Sequence, residues 1–378
     1  MRPVEETREV ASGGSSSSDS LSKDRVGDPI RRPFSTISTG LATAGKARRI
    51  DALDFTKGAL VLIMVLYHWL NYFLGTSDNR YLRFLTPSFI FIAGFLISNV
   101  YLSKYGIADP QLPKRLMQRG LKILGVFVFL NLARTLLFAE TYRDQMLSEH
   151  SSIKSVVDIY VIGSNLGGGQ GKAIAFFILV PIAYLLLLSA LLLVVGRIYK
   201  HIFHVLCALF FLSILLLQLG GYQSANLELL TIGMLGIVVG YLPLEKVNAF
   251  VRHPYLLAVG YAAYVGAITR WNIIYPLQVV GVCLSLMVLY LLGDRDGQPG
   301  RFRGVVILLG KYSLLGYIAQ IAILQFLRRG LGHVGSETVV LGMSFLLAVA
   351  LTVASVEAVD CLRSKSTTMD RLYRAVFA

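Results

Sequence analysis

An all-α, polytopic integral membrane bundle of about ten transmembrane helices is the fold that the sequence predicts, and three observations predict it. Apolar residues make up 55% of the 378 residues, and the mean hydropathy is +0.63. Apolar runs of about 17 to 25 residues recur after residue 57, each long enough to cross a hydrocarbon core of about 30 Å. No stretch shows the sustained alternation that a transmembrane barrel needs, and only helices and closed barrels satisfy the backbone in lipid.

In chain order, residues 1–46 hold a serine run, Ser15 to Ser18, with scattered charges and almost no apolar periodicity, which reads as a disordered polar tail. It carries no apolar signal-peptide core, so the first apolar run reads as a retained span. Spans are expected at 58–75, 84–102, 121–139, 173–195, 202–219, 227–243, 255–269, 272–292, 305–327 and 338–358, within a transmembrane domain of residues 47–362. Residues 363–378 read as a short basic cytoplasmic tail. The one long outer loop, 140–172, ends in GSNLGGGQGK. A phosphate loop would need Gly at 166 and Ser or Thr at 173, where the chain has Leu166 and Ala173. The stretch reads as a flexible or re-entrant loop, with a substrate-facing lid as the alternative.

The formal net charge of +14 sits mostly in short loops between apolar runs. No basic helix with base-stacking aromatics stands apart from the membrane part, which argues against nucleic-acid binding. With the N-terminus cytoplasmic, inner segments hold nineteen Lys and Arg against eight outside, so both termini are expected inside, facing anionic lipid. Cys207, Cys283 and Cys361 suggest neither a disulfide framework nor a metal site. His201 and His204 lie three apart at the start of a span, but no third ligand is near in sequence, so interfacial packing is preferred to metal binding. His150, His253 and His333 fall in or beside loops.

Ionisable groups inside a span are costly and mark candidate sites. The first span, RIDALDFTKGALVLIMVLYHWLNYF, places His68 eleven residues past Lys57, roughly 16 Å along a helix. On an α-helical wheel Asp54, Lys57, Met64, Asn71 and Tyr72 fall within about 60° of His68. One stripe thus carries an acid, a base, an imidazole and an amide, which implies a polar cavity; a hydrogen-bonded packing histidine is the alternative. An imidazole suits proton removal near neutral pH, or can itself accept an acyl group.

Three further polar clusters accompany it. In RYLRFLTPSFIFIAGFL, Arg80 and Arg83 precede a span with Pro87 and Gly94, and either snorkel at the interface or bind an anion or substrate. In LPKRLMQRGLKIL, Lys114, Arg115, Arg119 and Lys122 set topology or meet a phosphate-rich cytosolic donor. In LLGKYSLLGYIAQIAI, Ser313, Tyr317 and Gln320 share a face, and either bridge helices or line the His68 cavity.

The order R-x-D-x-x-D-x-x-[RK]-G, a His ten residues past the Gly, and P-x-F-x-F-x-x-G on the next span resembles the transmembrane acyltransferase superfamily. That group takes in acyltransferase-3 proteins, glucan succinyltransferases and heparan-α-glucosaminide N-acetyltransferases. The matching residues are Arg49, Asp51, Asp54, Lys57, Gly58 and His68, then Pro87, Phe89, Phe91 and Gly94. GKYSLLGYIAQ resembles the superfamily's G-[KR]-x-S-L-x-x-Y-x-x-H segment. The strong part covers residues 48–102, with weaker support at 114–125 and 310–321. Lys57 stands where the family usually has Arg, keeping charge but losing a planar fork. Gln320 stands where a His is common, removing a titratable group.

The resemblance implies acyl transfer, by an enzyme without a bound cofactor, from cytosolic acyl-CoA, acetyl-CoA first, to a hydroxyl or amine of a saccharide or glycan on the far side of a bacterial inner membrane. His68 would be general base or acyl carrier, Asp54 would orient or charge-balance it or position neighbouring cations, and Lys57 is the third catalytic candidate. Arg115, Arg119 and Lys122 would favour the donor phosphates. Asn71, Tyr72, Arg80 and Arg83, with Ser313, Tyr317 and Gln320, would lie nearer the acceptor. A transporter or flippase of a sugar or lipid-linked substrate is the alternative, though no internal inverted repeat is evident. A non-catalytic scaffold of the same fold is the third reading.

Overall fold

The computed structural model describes residues 51–75, 80–106, 109–137, 157–163, 176–196, 199, 201–243, 246, 253–271, 274–294, 300–331 and 338–377. Among them there are helices and turns and no strands. The polar stretch 1–46, most of the loop 140–172, His150 and His333 lie outside the described residues.

Helix α1 runs Asp51–Trp69 and continues as a π-helical turn, Leu70–Leu74. Asp51 and Asp54 occupy its first turn, where the helix dipole favours negative charge. Gly75, at φ 65, closes its far end in the left-handed region that a Cβ disfavours. A 3-10 turn, Arg80–Leu82, leads to α2, Leu85–Leu96, which carries Pro87 in its first turn and passes into a π-helical stretch, Ile97–Leu102. Helix α3 is Gln111–Leu137, and a π-helical turn at Asp158–Ile162 precedes α4, Leu179–Gly196. Then come α5 (Ile202–Leu219), α6 (Ala225–Gly240), α7 (Pro254–Arg270) and α8 (Tyr275–Gly293). The chain ends in α9 (Arg301–Lys311), α10 (Ser313–Leu331), α11 (Thr338–Lys365) and α12 (Thr367–Phe377).

Every expected span falls on a helix, but the helices differ in kind. Among the described residues seven are long and apolar enough to cross a membrane, and an eighth span arises if α9 and α10 count as one. The protein is therefore an integral, multi-pass membrane protein. Helices α6 and α7, with 16 and 17 residues, are shorter than the ≈ 20 residues a perpendicular crossing takes.

Three boundaries depart from expectation for physical reasons. The span expected at 305–327 is broken: α9 and α10 meet at 94°. Tyr312, at the break, donates its hydroxyl to Asp360 Oδ1 at 2.6 Å and accepts from Arg363 at 2.9 Å, which ties the corner to α11. Helix α4 starts at Leu179 rather than 173, because Phe176 adopts φ 63, which no helix continues through, and Pro181 suits only a first turn. Helix α3 starts ten residues before the expected 121. Leu112, Leu116 and Gly120 bury one face of that extension while Lys114 and Arg115 stay exposed on the other. The residues expected as a basic tail, as far as Phe377, form the end of α11 and all of α12.

Two close helix crossings order the core. A Cβ on Gly58 would sit 1.8 Å from the Val306 carbonyl oxygen, and one on Gly310 would sit 1.7 Å from that of Asp54, so α1 and α9 touch backbone to backbone. Helices α2 and α6 do the same, Gly94 meeting the Gly233 carbonyl and Gly236 that of Phe91. Small residues at such points replace the hydrophobic drive that lipid does not supply.

Candidate functional site

Helix α1 is the spine of the site because it packs against α8, α9, α10 and α11. At its first turns Lys57 Nζ lies 2.5 Å from Asp54 Oδ1, one helical turn apart, with both side chains mostly buried. The same end of the bundle gathers other polar contacts. Arg303 donates to the Gly293 carbonyl at 2.8 Å, and Tyr312 links Asp360 to Arg363.

Further along α1, His68 is half-buried among aromatic rings. Its imidazole centroid lies 5.3 Å from that of Tyr67, edge to face, and 6.2 Å from that of Tyr317 on α10. Phe176 packs edge to face with Tyr317, ring centroids 6.1 Å apart, with its own backbone held at φ 63. A non-glycine residue at positive φ persists only where its surroundings hold it, and such residues cluster at sites. Gln320, one turn beyond Tyr317, is fully buried, and neither polar atom of its amide has a protein partner. Buried amides are normally bonded, so this one stands out as an unmet polar group inside the bundle. Ser313, on the same face, is half-buried.

The π-helical turn alters the stripe expected on α1. Its i→i+5 spacing delays every side chain after Trp69 relative to an ideal α wheel, and Tyr72 lies within electrostatic reach of Tyr317. Tyr72 accepts from Gln325 Nε2 at 3.2 Å, with the Arg328 guanidinium 6.0 Å from its ring. Both polar atoms of the Asn71 side chain are buried without a protein partner. Trp69, aimed the other way, donates to Ser344 at 2.8 Å.

The remaining predicted residues form two separate groups. Arg80 donates to the Ile268 carbonyl on α7 at 3.4 Å, and Arg83 is exposed within electrostatic reach of Glu228. Arg115 and Arg119 project from α3 toward tyrosines that follow α2, in and just past its π-helical continuation. The Arg115 guanidinium lies 4.8 Å from the Tyr105 ring, and Arg119 donates to the Tyr101 hydroxyl. Lys122 is exposed one turn on. The described piece of the long loop is anchored: Asn226 donates to the Ile159 and Tyr160 carbonyls at 3.1 and 3.0 Å, and Tyr184 to the Tyr160 carbonyl at 2.9 Å. Gly163 ends this piece at φ 74, where a Cβ would sit 2.7 Å from the Asn226 backbone nitrogen. His201 and His204 pack together, with His204 stacked on Tyr241 at 5.7 Å.

Sequence reasoning missed Phe176, Gln325, Ser344, Asp360 and the buried Arg134. The rule that flagged His68 also covers Arg134 and Glu228, both inside expected spans. Nothing local in the sequence signals Phe176.

Among known families, the model for an acyltransferase domain, acyltransferase-3, matches residues 50–357. The chain belongs to the acyltransferase-3 family. No curated protein and no solved structure matches it at a significant level. Membership makes the protein one of a family of membrane acyltransferases, and the match takes in every element from the start of α1 to most of α11, including both glycine crossings.

Proposed function

We propose that the protein transfers an acyl group, acetyl first, from cytosolic acyl-CoA to a hydroxyl or amine of a saccharide or glycan on the opposite face, in a bacterial inner membrane with both termini cytoplasmic. The observation that carries this reading is the His68 imidazole, held within a membrane span of an acyltransferase-3 protein between the Tyr67 and Tyr317 rings. Imidazole is the side chain suited to taking a hydroxyl proton near neutral pH. In the direct form His68 takes the acceptor proton as the acceptor oxygen attacks the thioester carbonyl. The C–S bond breaks, and the CoA thiolate leaves and regains a proton from the imidazolium. In the two-step form His68 carries the acyl group between these events.

The surrounding residues fit supporting roles. The Asp54–Lys57 pair marks the end at which the donor enters, and there Arg115, Arg119 and Lys122 offer cationic partners for CoA phosphates. The Gln320 amide and the Tyr317 hydroxyl are suited to donate to the oxyanion of the tetrahedral intermediate. Asn71 and Tyr72, beyond His68, are suited to orient the acceptor, with Arg80 and Arg83 further out and Ser313 one turn before Tyr317, toward the Asp54–Lys57 end. No metal enters this scheme.

Comparison of glycan acylation by mass spectrometry in a deletion strain tests the reading. Loss of acyl groups from one glycan class, restored by the wild type and not by His68→Ala, is the expected result. An unaltered acylation pattern across all glycan classes would overturn it.

A further inference from the structure

The last helix presents three faces to three environments. On its helical wheel Met369, Leu372 and Val376 lie within about 60° of one another, and Tyr373 and Phe377 extend the apolar stripe to one side. Arg371 and Arg374 lie roughly opposite. The Tyr373 edge meets the bundle: its ring packs on Tyr312 at 5.3 Å, and Arg363 lies 4.1 Å from its centroid. Arg363 also donates to Asp370 Oδ1 through Nη2 at 2.6 Å and Nε at 3.0 Å, so α12 is clamped sideways against the end of α11. The Met369, Leu372 and Val376 edge is left uncovered by the bundle, at 43%, 58% and 36% exposure.

The position of α12 says what covers that edge. Helix α11 runs 28 residues to Lys365, about 42 Å at 1.5 Å per residue, so its end clears a hydrocarbon core of about 30 Å. Helix α12 begins two residues later and is held back beside Asp360 and Tyr312, at the end of that span. Arg363, Lys365, Arg371 and Arg374 outnumber Asp360 and Asp370 there, Arg374 staying 68% exposed although it pairs with Asp370 Oδ2 at 2.5 Å, and α12 packs against α3, whose exposed Lys114 and Arg115 add to the same charge. An amphipathic helix with an uncovered apolar edge and a basic opposite face, lying beside the end of a span, matches a helix in the interfacial plane.

We infer that α12 is an interfacial anchor that inserts Met369, Leu372 and Val376 into the adjoining leaflet and holds anionic phospholipid headgroups with Arg371 and Arg374. The anchor is independent of the acyl-transfer chemistry. Through Arg363 it ties the lipid surface to the Tyr312 corner between α9 and α10.

Full-length protein with Cys207, Cys283 and Cys361 replaced by Ala would carry one new cysteine, Leu372→Cys, Met369→Cys or Arg371→Cys. Each is labelled with an environment-sensitive fluorophore and placed in nanodiscs of phosphatidylcholine with or without phosphatidylglycerol. Probes at 372 and 369 are expected to be quenched by brominated acyl chains and shielded from acrylamide, with the reverse at 371. Lipid quenching at 372 is expected to fall at least several-fold without phosphatidylglycerol, or when Arg371→Glu and Arg374→Glu are added. Acrylamide quenching at 369 and 372 equal to that at 371 would overturn the anchor. Lipid quenching indifferent to phosphatidylglycerol would overturn its anionic specificity.

Discussion

The imidazole of His68 and the ring of Tyr317 lie 6.2 Å apart, centroid to centroid, across the contact between α1 and α10. Their helices enter the bundle differently. Helix α1 runs unbroken from Asp51 to Trp69, whereas α10 starts at a 94° corner only four residues before Tyr317. The His68–Tyr317 relationship is therefore set by the corner at Tyr312 and by the glycine crossing of α1 with α9.

That dependence makes the α1–α9 crossing a stability determinant. Replacing Gly58 or Gly310 by Ala places a Cβ inside 2 Å of a backbone carbonyl, so the helices must separate. A loss of about 1–3 kcal/mol is expected, as for other overpacked cores. Gly125→Ala, where a Cβ meets nothing within 4 Å, is the control, and is expected to be neutral or slightly stabilising. Thermal unfolding of the purified variants in one detergent checks both.

The Arg363 clamp on α12 predicts a pH dependence. Hydrogen bonding from Arg363 holds the Asp370 carboxyl below the ordinary carboxylate range. Its stabilising contribution is present above the unfolded-state pKa and is lost as pH falls through the lower folded-state value. Asp370→Asn is expected to lower the melting temperature at pH 7, with the gap from wild type closing as the buffer is acidified below about pH 4.

Donor binding is expected to depend on how Arg119 is held. The Tyr101 hydroxyl accepts from its guanidinium, so Tyr101→Phe removes that bond and leaves the cation. A several-fold rise in KM for acyl-CoA with kcat little changed is the expected signature. The Arg115→Ala/Arg119→Ala double variant should raise KM more. Steady-state CoA release against acyl-CoA concentration checks both.

Trp69 and Ser344 offer a test of the far end of α1. Ser344 is buried and accepts the indole N–H at 2.8 Å. Ser344→Ala leaves that donor unpaired, and a cost of about 1 kcal/mol or somewhat more is expected in thermal unfolding.

Much of the bundle was legible in the sequence because hydropathy reports burial in lipid directly. The ten expected spans all fall on helices, and the first two carry the motif that resembles the acyltransferases. The broken span was not legible: the run from Val305 to Leu327 is apolar on both sides of Tyr312, and its corner depends on Asp360 and Arg363, about fifty residues away. Within the site, His68 was legible as an ionisable group inside a span, and the Tyr317 and Gln320 face as a polar stripe on another. The π-helical turn at Leu70–Leu74, which carries Asn71 and Tyr72, was not legible, because an α wheel carries no sign of it. Gly58 and Gly94 were read as parts of a motif, and the structure gives them a packing role as well.

The role proposed for His68 is the transfer of an acyl group taken from acyl-CoA. Purified wild-type protein and His68→Ala, incubated in detergent with acetyl-CoA and then with succinyl-CoA, would be compared for acyl-CoA binding and for release of free CoA, which needs no knowledge of the acceptor. Binding by both proteins, with CoA release at least about a hundredfold slower in His68→Ala, is the predicted result. Failure of the wild type to bind any acyl-CoA, or equal release by the two proteins, would contradict the claim.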